Sequence, residues 1–182
     1  MANILTDPPF AANPPVKLNI DAKIIGLVIA ILAVLGAIGN LFIGGLLSAF
    51  SLVGGGFTLL WVLGNLVGAV GDIIAAVGGF QMFNGAQAGK RLVIYGLAIG
   101  VLGSLVHLIG VIIAYAGIPN YCVGTICTGY SYVGDIIGFI IYAIIYFIVY
   151  YMVVISRFPG EPRLNPAGGG GGYGAPPPPP PA

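Results

Sequence analysis

The sequence predicts an all-α membrane protein, with four transmembrane helices in an antiparallel bundle, glycine-rich contact faces and disordered tails. Three observations support this class: the composition, four long apolar segments, and the distribution of the basic residues. Hydrophobic residues make up 58% of the 182 residues and charged residues only 6%, whereas soluble domains carry about 25% charged residues. Because so few ionised side chains cannot form a water-facing surface on this chain, lipid must be its main solvent.

Four apolar segments are long enough to cross a bilayer core of about 30 Å, which takes about 20 helical residues. They are continuous rather than alternating in polarity, which favours helices over the strands of a barrel. The predicted spans are residues 24–50, 57–80, 92–116 and 133–155.

The basic residues predict the orientation. They precede the first span, lie between the second and third, or follow the fourth: Lys17, Lys23, Lys90, Arg91, Arg157 and Arg163. With four spans, these three places are on the same side of the membrane, and the other two connections contain no Lys or Arg. The positive-inside rule therefore predicts that both termini are cytoplasmic and that the connection after the third span is outside.

The chain accordingly divides into a cytoplasmic segment 1–19, a transmembrane domain 20–156 and a Gly/Pro-rich cytoplasmic tail 157–182. In the tail, the glycine run is flexible and the six prolines favour an extended left-handed helix. Two interpretations stay open: a disordered tail, or a docking peptide for a partner with an aromatic groove.

Glycines recur at helical spacing in the first three spans. Within lipid, helices gain little by hiding apolar groups, so close backbone approach and interhelical hydrogen bonds hold them together. The stripes therefore predict the contact faces of a tight bundle or of a homo-oligomer. The predicted packing residues are Gly36, Gly44, Gly64, Gly68, Gly96 and Gly100.

Four polar side chains fall at membrane depth: Asn40, Asn65, His107 and Asp72. An ionisable residue inside the bilayer is costly unless it is paired or hydrated, which makes it a functional candidate. Three interpretations of Asp72 stay open: a protonated, hydrogen-bonded structural residue, a partner of His107, or a proton or cation site in a conduction path.

The fourth span carries Tyr142, Tyr146 and Tyr150 at a spacing of four residues. This row is interpreted either as helix packing or as a surface that faces a partner or a quinone-like ring. Tyr142 lies too deep for an interfacial aromatic belt and needs a hydrogen-bond partner for its hydroxyl.

The only two cysteines, Cys122 and Cys127, lie in the connection predicted to face outside. Thiols meet an oxidising environment there, so the sequence predicts a structural disulfide, with free thiols as the alternative. Metal binding lacks ligands, since no other Cys exists and the single His is predicted to be in the membrane.

The segment GGFQMFNGAQAGKRLVIYGLAIGVLGSL, residues 78–105, resembles the middle of small bacterial four-span proteins of unknown function. Those proteins have a short cytoplasmic hairpin, residues 81–91 here, and Gly/Pro-rich tails. The resemblance implies no activity and no functional residues.

The sequence predicts no enzyme and no cofactor. It holds one histidine and no Walker loop, HExxH or CxxC motif, and its net charge of +1 does not supply the basic face that nucleic acid requires. The preferred function is association in a bacterial inner membrane, with itself or with other subunits, as an accessory, scaffold or assembly protein. The alternatives are a small homo-oligomeric channel or transporter with a polar path around Asp72, and a quinone- or lipid-binding subunit.

Overall fold

The computed structural model describes residues 4–6, 8–11, 13–16, 18–46, 59–116, 121–123, 126–128 and 133–161. Its long helices are α1 Ala22–Ile38, α2 Leu59–Phe83, α3 Ala88–Ala116 and α4 Val133–Ile155. Four helices are apolar and long enough to cross a membrane, which confirms the predicted all-α membrane class. The first of the four consists of α1 and the first residues of the helical segment that follows it.

The first span begins as a capped α-helix and continues as a π-helix, which is wider. The carboxylate of Asp21 accepts a hydrogen bond of 2.8 Å from the backbone N–H of Lys23, which satisfies one of the open donors of the first turn. After Ile38 the chain continues as a π-helix over Gly39–Leu46. Residues 47–50, which the predicted span includes, lie outside the described residues.

Glycines seven residues apart bring α2 and α3 into backbone contact. A methyl group added to Gly71 would lie 2.7 Å from the carbonyl oxygen of Gly96, and one added to Gly78 would lie 2.8 Å from that of Gly89. A seven-residue repeat keeps one face of each helix toward its partner with a slight supercoil. The two rows are Gly64, Gly71 and Gly78 on α2, and Gly89, Gly96, Gly103 and Gly110 on α3.

A four-residue turn, residues 84–87, joins α2 to α3, so this hairpin is shorter than the predicted residues 81–91. Gly85 has a φ of +87°, where a side chain would be strained. The N–H of Gly85 donates to Met82 and the N–H of Ala86 to Gln81, both over 2.9 Å. This is the Schellman pattern, in which the left-handed conformation of Gly85 ends α2 after Phe83.

The fourth helix is attached differently from the other three. Within the described residues, burial in α4 is confined to Val153, Val154 and Ile155 at its last turn. Beyond the backbone of α4 itself, no described atom lies within 4 Å of a methyl group added to Gly134 or Gly138. Glycines thus bring α1, α2 and α3 together along their lengths, whereas α4 joins them through its last turn and through Tyr146, which lies on Gly100.

The ends of the transmembrane domain fold together at the basic side. The N–H of Arg157 donates to Ile20, and the N–H of Ala22 donates to Arg157, each over 2.9 Å. Residues 157–161, which the sequence analysis assigns to the tail, thus make contacts with the transmembrane domain. Residues 162–182, including the proline run, lie outside the described residues.

Part of the N-terminal segment is also held by α4. The hydroxyl of Tyr151 donates to the carbonyl of Val16 over 2.8 Å, and that of Tyr150 donates to the carbonyl of Leu5 over 2.8 Å. Phe10 stacks on Tyr151 with 5.6 Å between ring centres. The last two turns of α4 thus anchor the start of the chain.

A two-stranded antiparallel hairpin lies in the connection between α3 and α4. Its strands are β1 Tyr121–Val123 and β2 Ile126–Thr128. The register places Cys122 opposite Cys127.

Candidate functional site

Small and polar residues alternate across the contact between α1 with its π-helical continuation and α2. A methyl group on Gly36 would lie 2.8 Å from Oδ2 of Asp72, and one on Gly44 would lie 2.5 Å from Oδ1 of Asn65. In the opposite sense, a methyl group on Gly68 would lie 3.2 Å from Nδ2 of Asn40. Each polar side chain thus occupies the space that a glycine on the facing helix leaves open.

Asp72 is the centre of this contact. Its side chain is 6% exposed. Nδ2 of Asn40 donates to Oδ2 over 2.8 Å, and the hydroxyl of Tyr146 donates to Oδ1 over 3.3 Å. Because Asn40 follows α1 and Tyr146 belongs to α4, the carboxyl group of Asp72 on α2 connects three helices.

Asn65 makes a similar contact nearer the N-terminus of α2. Its Nδ2 donates to the carbonyl of Gly44 over 2.9 Å and to the carbonyl of Trp61 over 3.1 Å. The first bond reaches a carbonyl of the π-helical segment, which joins this part of the first span to α2.

His107 does not pair with Asp72. It packs against the backbone of α2 at Gly64, and its ring lies 5.4 Å from that of Trp61, nearly perpendicular to it. The eight residues from Gly64 to Asp72 correspond to about 12 Å of helix. The pairing of Asp72 with His107 is therefore wrong, because His107 contacts α2 about two turns away from Asp72.

A cleft with polar and apolar lining residues lies between α3 and α4, beside His107. It has a volume of about 280 Å³, and its lining includes Ser104, His107, Asp135 and Tyr142. The hydroxyl of Tyr142 interacts with those of Ser104 and Tyr146. Since Tyr146 in turn donates to Asp72, hydroxyl groups link the cleft to the buried carboxyl group.

The tyrosine row does not face a single surface. Tyr146 lies on Gly100, with a methyl group at Gly100 falling 3.1 Å from its ring, and its hydroxyl reaches Asp72. Tyr142 lines the cleft beside His107, with its ring centre 4.2 Å from that of Tyr146. Tyr150 binds the N-terminal segment through Leu5.

The six glycines predicted from their spacing all lie at helix contacts. Gly36, Gly44 and Gly68 contact the first span or α2 through the polar side chains described above, and Gly64 contacts His107. Gly100 receives Tyr146, while Gly96 belongs to the seven-residue row. The spacing of four residues led to these positions but not to Gly71, Gly78 and Gly89, for which the seven-residue repeat is the signal.

The cysteine prediction has a direct test. Directly opposite residues in an antiparallel pair have Cα atoms about 4.5–5.5 Å apart, within the range of about 4.4–6.8 Å that a disulfide requires. We expect neither Cys122 nor Cys127 to react with a maleimide until the protein is reduced, as measured by intact mass.

The variant Cys127→Ser is the control for this experiment. It should label once without reduction, and in spheroplasts it should label with a membrane-impermeant maleimide because the hairpin is predicted to be outside. Two reactive thiols in the unreduced native protein would contradict the disulfide.

The fold and these contacts define a multi-pass integral membrane protein with a polar cluster between its helices. Among the described residues, no group of three or more His, Cys, Asp or Glu could hold a metal ion. Comparison with known protein families, with curated proteins and with solved structures finds no match. The resemblance to small bacterial four-span proteins stays a prediction.

Proposed function

We propose that this protein is non-enzymatic and acts by association in a bacterial inner membrane, as an accessory, scaffold or assembly subunit of a larger complex. The observation that carries the proposal is the incomplete packing of α4. Three of the four helices are packed against each other by glycines, whereas α4 is buried only at Val153, Val154 and Ile155.

The outer half of α4 has the features of a helix-binding face. Gly134 and Gly138 are one turn apart, the small-residue spacing that allows two membrane helices to approach closely. In α1, α2 and α3 such glycines contact a neighbouring helix of the same chain, whereas Gly134 and Gly138 line the open cleft between α3 and α4, where an added methyl group would meet no described neighbour within 4 Å. A helix of another subunit is the partner that fits this spacing.

A second feature supports a partner on the same side of the molecule. An apolar cleft of about 460 Å³ lies between α3 and α4, with Leu97, Val101 and Phe147 among its lining residues. It can accept apolar side chains from a neighbouring subunit or the acyl chains of lipid.

The location of the charges supports the proposed orientation. Lys23, Lys90, Arg91 and Arg157 lie at one end of the helices, at the start of α1, the start of α3 and the end of α4. The positive-inside rule assigns such an end to the cytoplasm, so both termini are proposed to be cytoplasmic.

The second candidate function is a small homo-oligomeric channel or transporter. The observation that favours it is the line of hydroxyl groups from the cleft at Tyr142 through Tyr146 to Asp72. Proton relays in membranes use such chains of ionisable and hydroxyl groups.

Purification of the full chain in a mild detergent from its native membrane tests both. We expect a stoichiometric partner to be retained by the native protein and lost from Gly138→Leu, because the added side chain blocks approach to α4. The variant Gly39→Leu is the matched control. A methyl group on Gly39 would also meet no described neighbour within 4 Å, but Gly39 lies on the first span rather than on α4. It should retain the partner.

A homo-oligomer that conducts protons in liposomes, with conduction lost in Asp72→Asn, would overturn the accessory function and establish the second candidate. Equal loss of the partner from Gly39→Leu and Gly138→Leu would contradict the assignment of the contact to α4.

A further inference from the structure

A cavity of about 460 Å³ opens at the basic end of the helices, where the start of α3 meets the end of α4 and the segment after it. Three basic side chains line it: Lys90, Arg91 and Arg157. Glu161 is the carboxylate on its wall. None of the interactions described so far uses this cavity.

The charge balance of the lining favours an anion. Three cations stand against one carboxylate, and both oxygens of that carboxylate already accept hydrogen bonds. Nε2 of Gln87 donates to Oε1 of Glu161 over 3.1 Å, and the N–H of Phe158 donates to Oε2 over 3.1 Å. A net positive lining remains for a ligand.

One of these three basic side chains has a buried nitrogen without a protein acceptor. Nε of Arg157 has no hydrogen-bond partner within the described part of the chain, although it is out of contact with solvent. A buried donor of this kind costs free energy unless a ligand or water accepts from it. Guanidinium groups match the geometry of phosphate oxygens with paired N–H donors.

The start of α3 adds to the same field. Ala88, its first residue, lines the cavity, and the N-terminus of a helix carries a partial positive charge that favours phosphate. Lys90 is held in place at this wall, since its Nζ donates to the carbonyl of Ser156 and lies 5.2 Å from the ring centre of Phe158.

The lining also has an apolar part. Ile94, Val154 and Phe158 form this side. Because α3 begins and α4 ends here, the cavity lies where the apolar helices meet the headgroup region, and basic pockets at this level bind anionic headgroups in other membrane proteins.

We propose that this cavity binds a phosphate group, supplied either by the headgroup of an anionic phospholipid or by a soluble phosphate. Arg91 and Arg157 bind the phosphate oxygens, Lys90 contributes charge from the wall, and the apolar side accommodates the first part of the acyl chains when the ligand is a lipid.

The test uses the full chain in a neutral detergent, titrated with short-chain phosphatidylglycerol, short-chain phosphatidylcholine or inorganic phosphate. Binding is measured by native mass spectrometry and by the shift in thermal unfolding. Phosphatidylglycerol is expected to bind more tightly than phosphatidylcholine. Its affinity should fall about fivefold in Arg91→Gln and more in Arg91→Gln/Arg157→Gln, since each basic residue near an anionic lipid contributes by about that factor.

Lys23→Gln is the matched control. It removes one positive charge from the same end, but Lys23 is exposed and outside the cavity lining. It should leave the affinity for phosphatidylglycerol within about twofold of native. If the double variant does not fold, Arg91→Gln against Lys23→Gln decides the question.

The outcomes separate the two sources of phosphate. Competition by millimolar inorganic phosphate would identify a soluble phosphate as the ligand, and its absence a lipid headgroup. Equal weakening by Lys23→Gln and Arg91→Gln, or no binding of phosphatidylglycerol and phosphate, would overturn the site. The outcome does not depend on whether α4 binds a partner.

Discussion

Replacing Gly71 or Gly96 with leucine is expected to separate α2 from α3 and to lower the free energy of unfolding by about 3 kcal/mol or more, the upper part of the range for overpacked contacts. The reason is the backbone distance. A methyl group on Gly71 would lie 2.6 Å from the nitrogen of Gly100, and one on Gly96 would lie 2.6 Å from the carbonyl oxygen of Gly71. Backbone atoms cannot rotate away as a flexible side chain can, so the whole helix must move.

The loss should extend beyond a single contact. The glycine rows run along most of α2 and α3, from the pair Gly78–Gly89 at the turn to the pair Gly64–Gly103 near the other end. A wedge at the central pair displaces both helices and removes close packing on either side of it. Unfolding in mixed micelles by increasing sodium dodecyl sulfate, followed by circular dichroism and by a fluorophore pair on α2 and α3, measures the effect.

Gly134→Leu and Gly138→Leu are the matched controls. They make the same change on α4, where an added methyl group would meet no described neighbour within 4 Å and an open cleft leaves room for a larger side chain. In the isolated protein they should change the free energy of unfolding by less than about 1 kcal/mol, as surface changes generally do. A tolerated leucine at both Gly71 and Gly96 would contradict the close α2–α3 contact.

The second large effect is expected at Asp72. Asp72→Leu should lower the free energy of unfolding by about 1–3 kcal/mol, because the amide of Asn40 and the hydroxyl of Tyr146 lose their acceptor inside the packed helices. Asp72→Asn should change it by less than about 1 kcal/mol, since its amide can accept from Asn40 and donate to Tyr146. The same micelle titration measures both variants.

A double-mutant cycle separates the hydrogen bond from the change in side-chain volume. Asn40→Leu alone should be destabilising, and it should cost distinctly less in the Asp72→Leu background, because the partner is already absent. A coupling of about 0.5 kcal/mol or more is expected for residues in direct contact. Additive losses would show that Asp72 and Asn40 do not interact in the folded protein.

The glycine spacing shows how far sequence patterns lead in a membrane protein. A spacing of four residues predicts Gly36, Gly44 and Gly68 as contact residues, and each of them leaves room for a polar side chain on the facing helix. At the α2–α3 interface, which follows a period of seven, this spacing reaches Gly64 and Gly96 but not Gly71, Gly78 or Gly89. In a chain with 31 glycines, several periods coexist, and only the crossing geometry of two particular helices selects one.

The polar residues show a similar division. Depth along the predicted spans identifies Asp72 as the buried carboxyl group, and the structure places it in the helix contact at 6% exposure. Depth does not select its partners. Tyr146 reaches Asp72 because Gly100 on α3 leaves space for its ring, whereas His107 is turned toward Trp61.

The sequence by itself determined the solvent, the number of spans and the end at which the basic residues gather. These follow from composition and segment length, because a bilayer accepts only long apolar helices and its electrostatics sort Lys and Arg to one side. The tertiary structure alone decided which glycines touch, which hydroxyl reaches Asp72, and that Arg157 and Lys90 share a cavity. Such contacts depend on how each helix is rotated about its axis and on the angle at which two helices cross. The hydrophobic pattern of the sequence does not determine either when lipid and protein neighbours are both apolar.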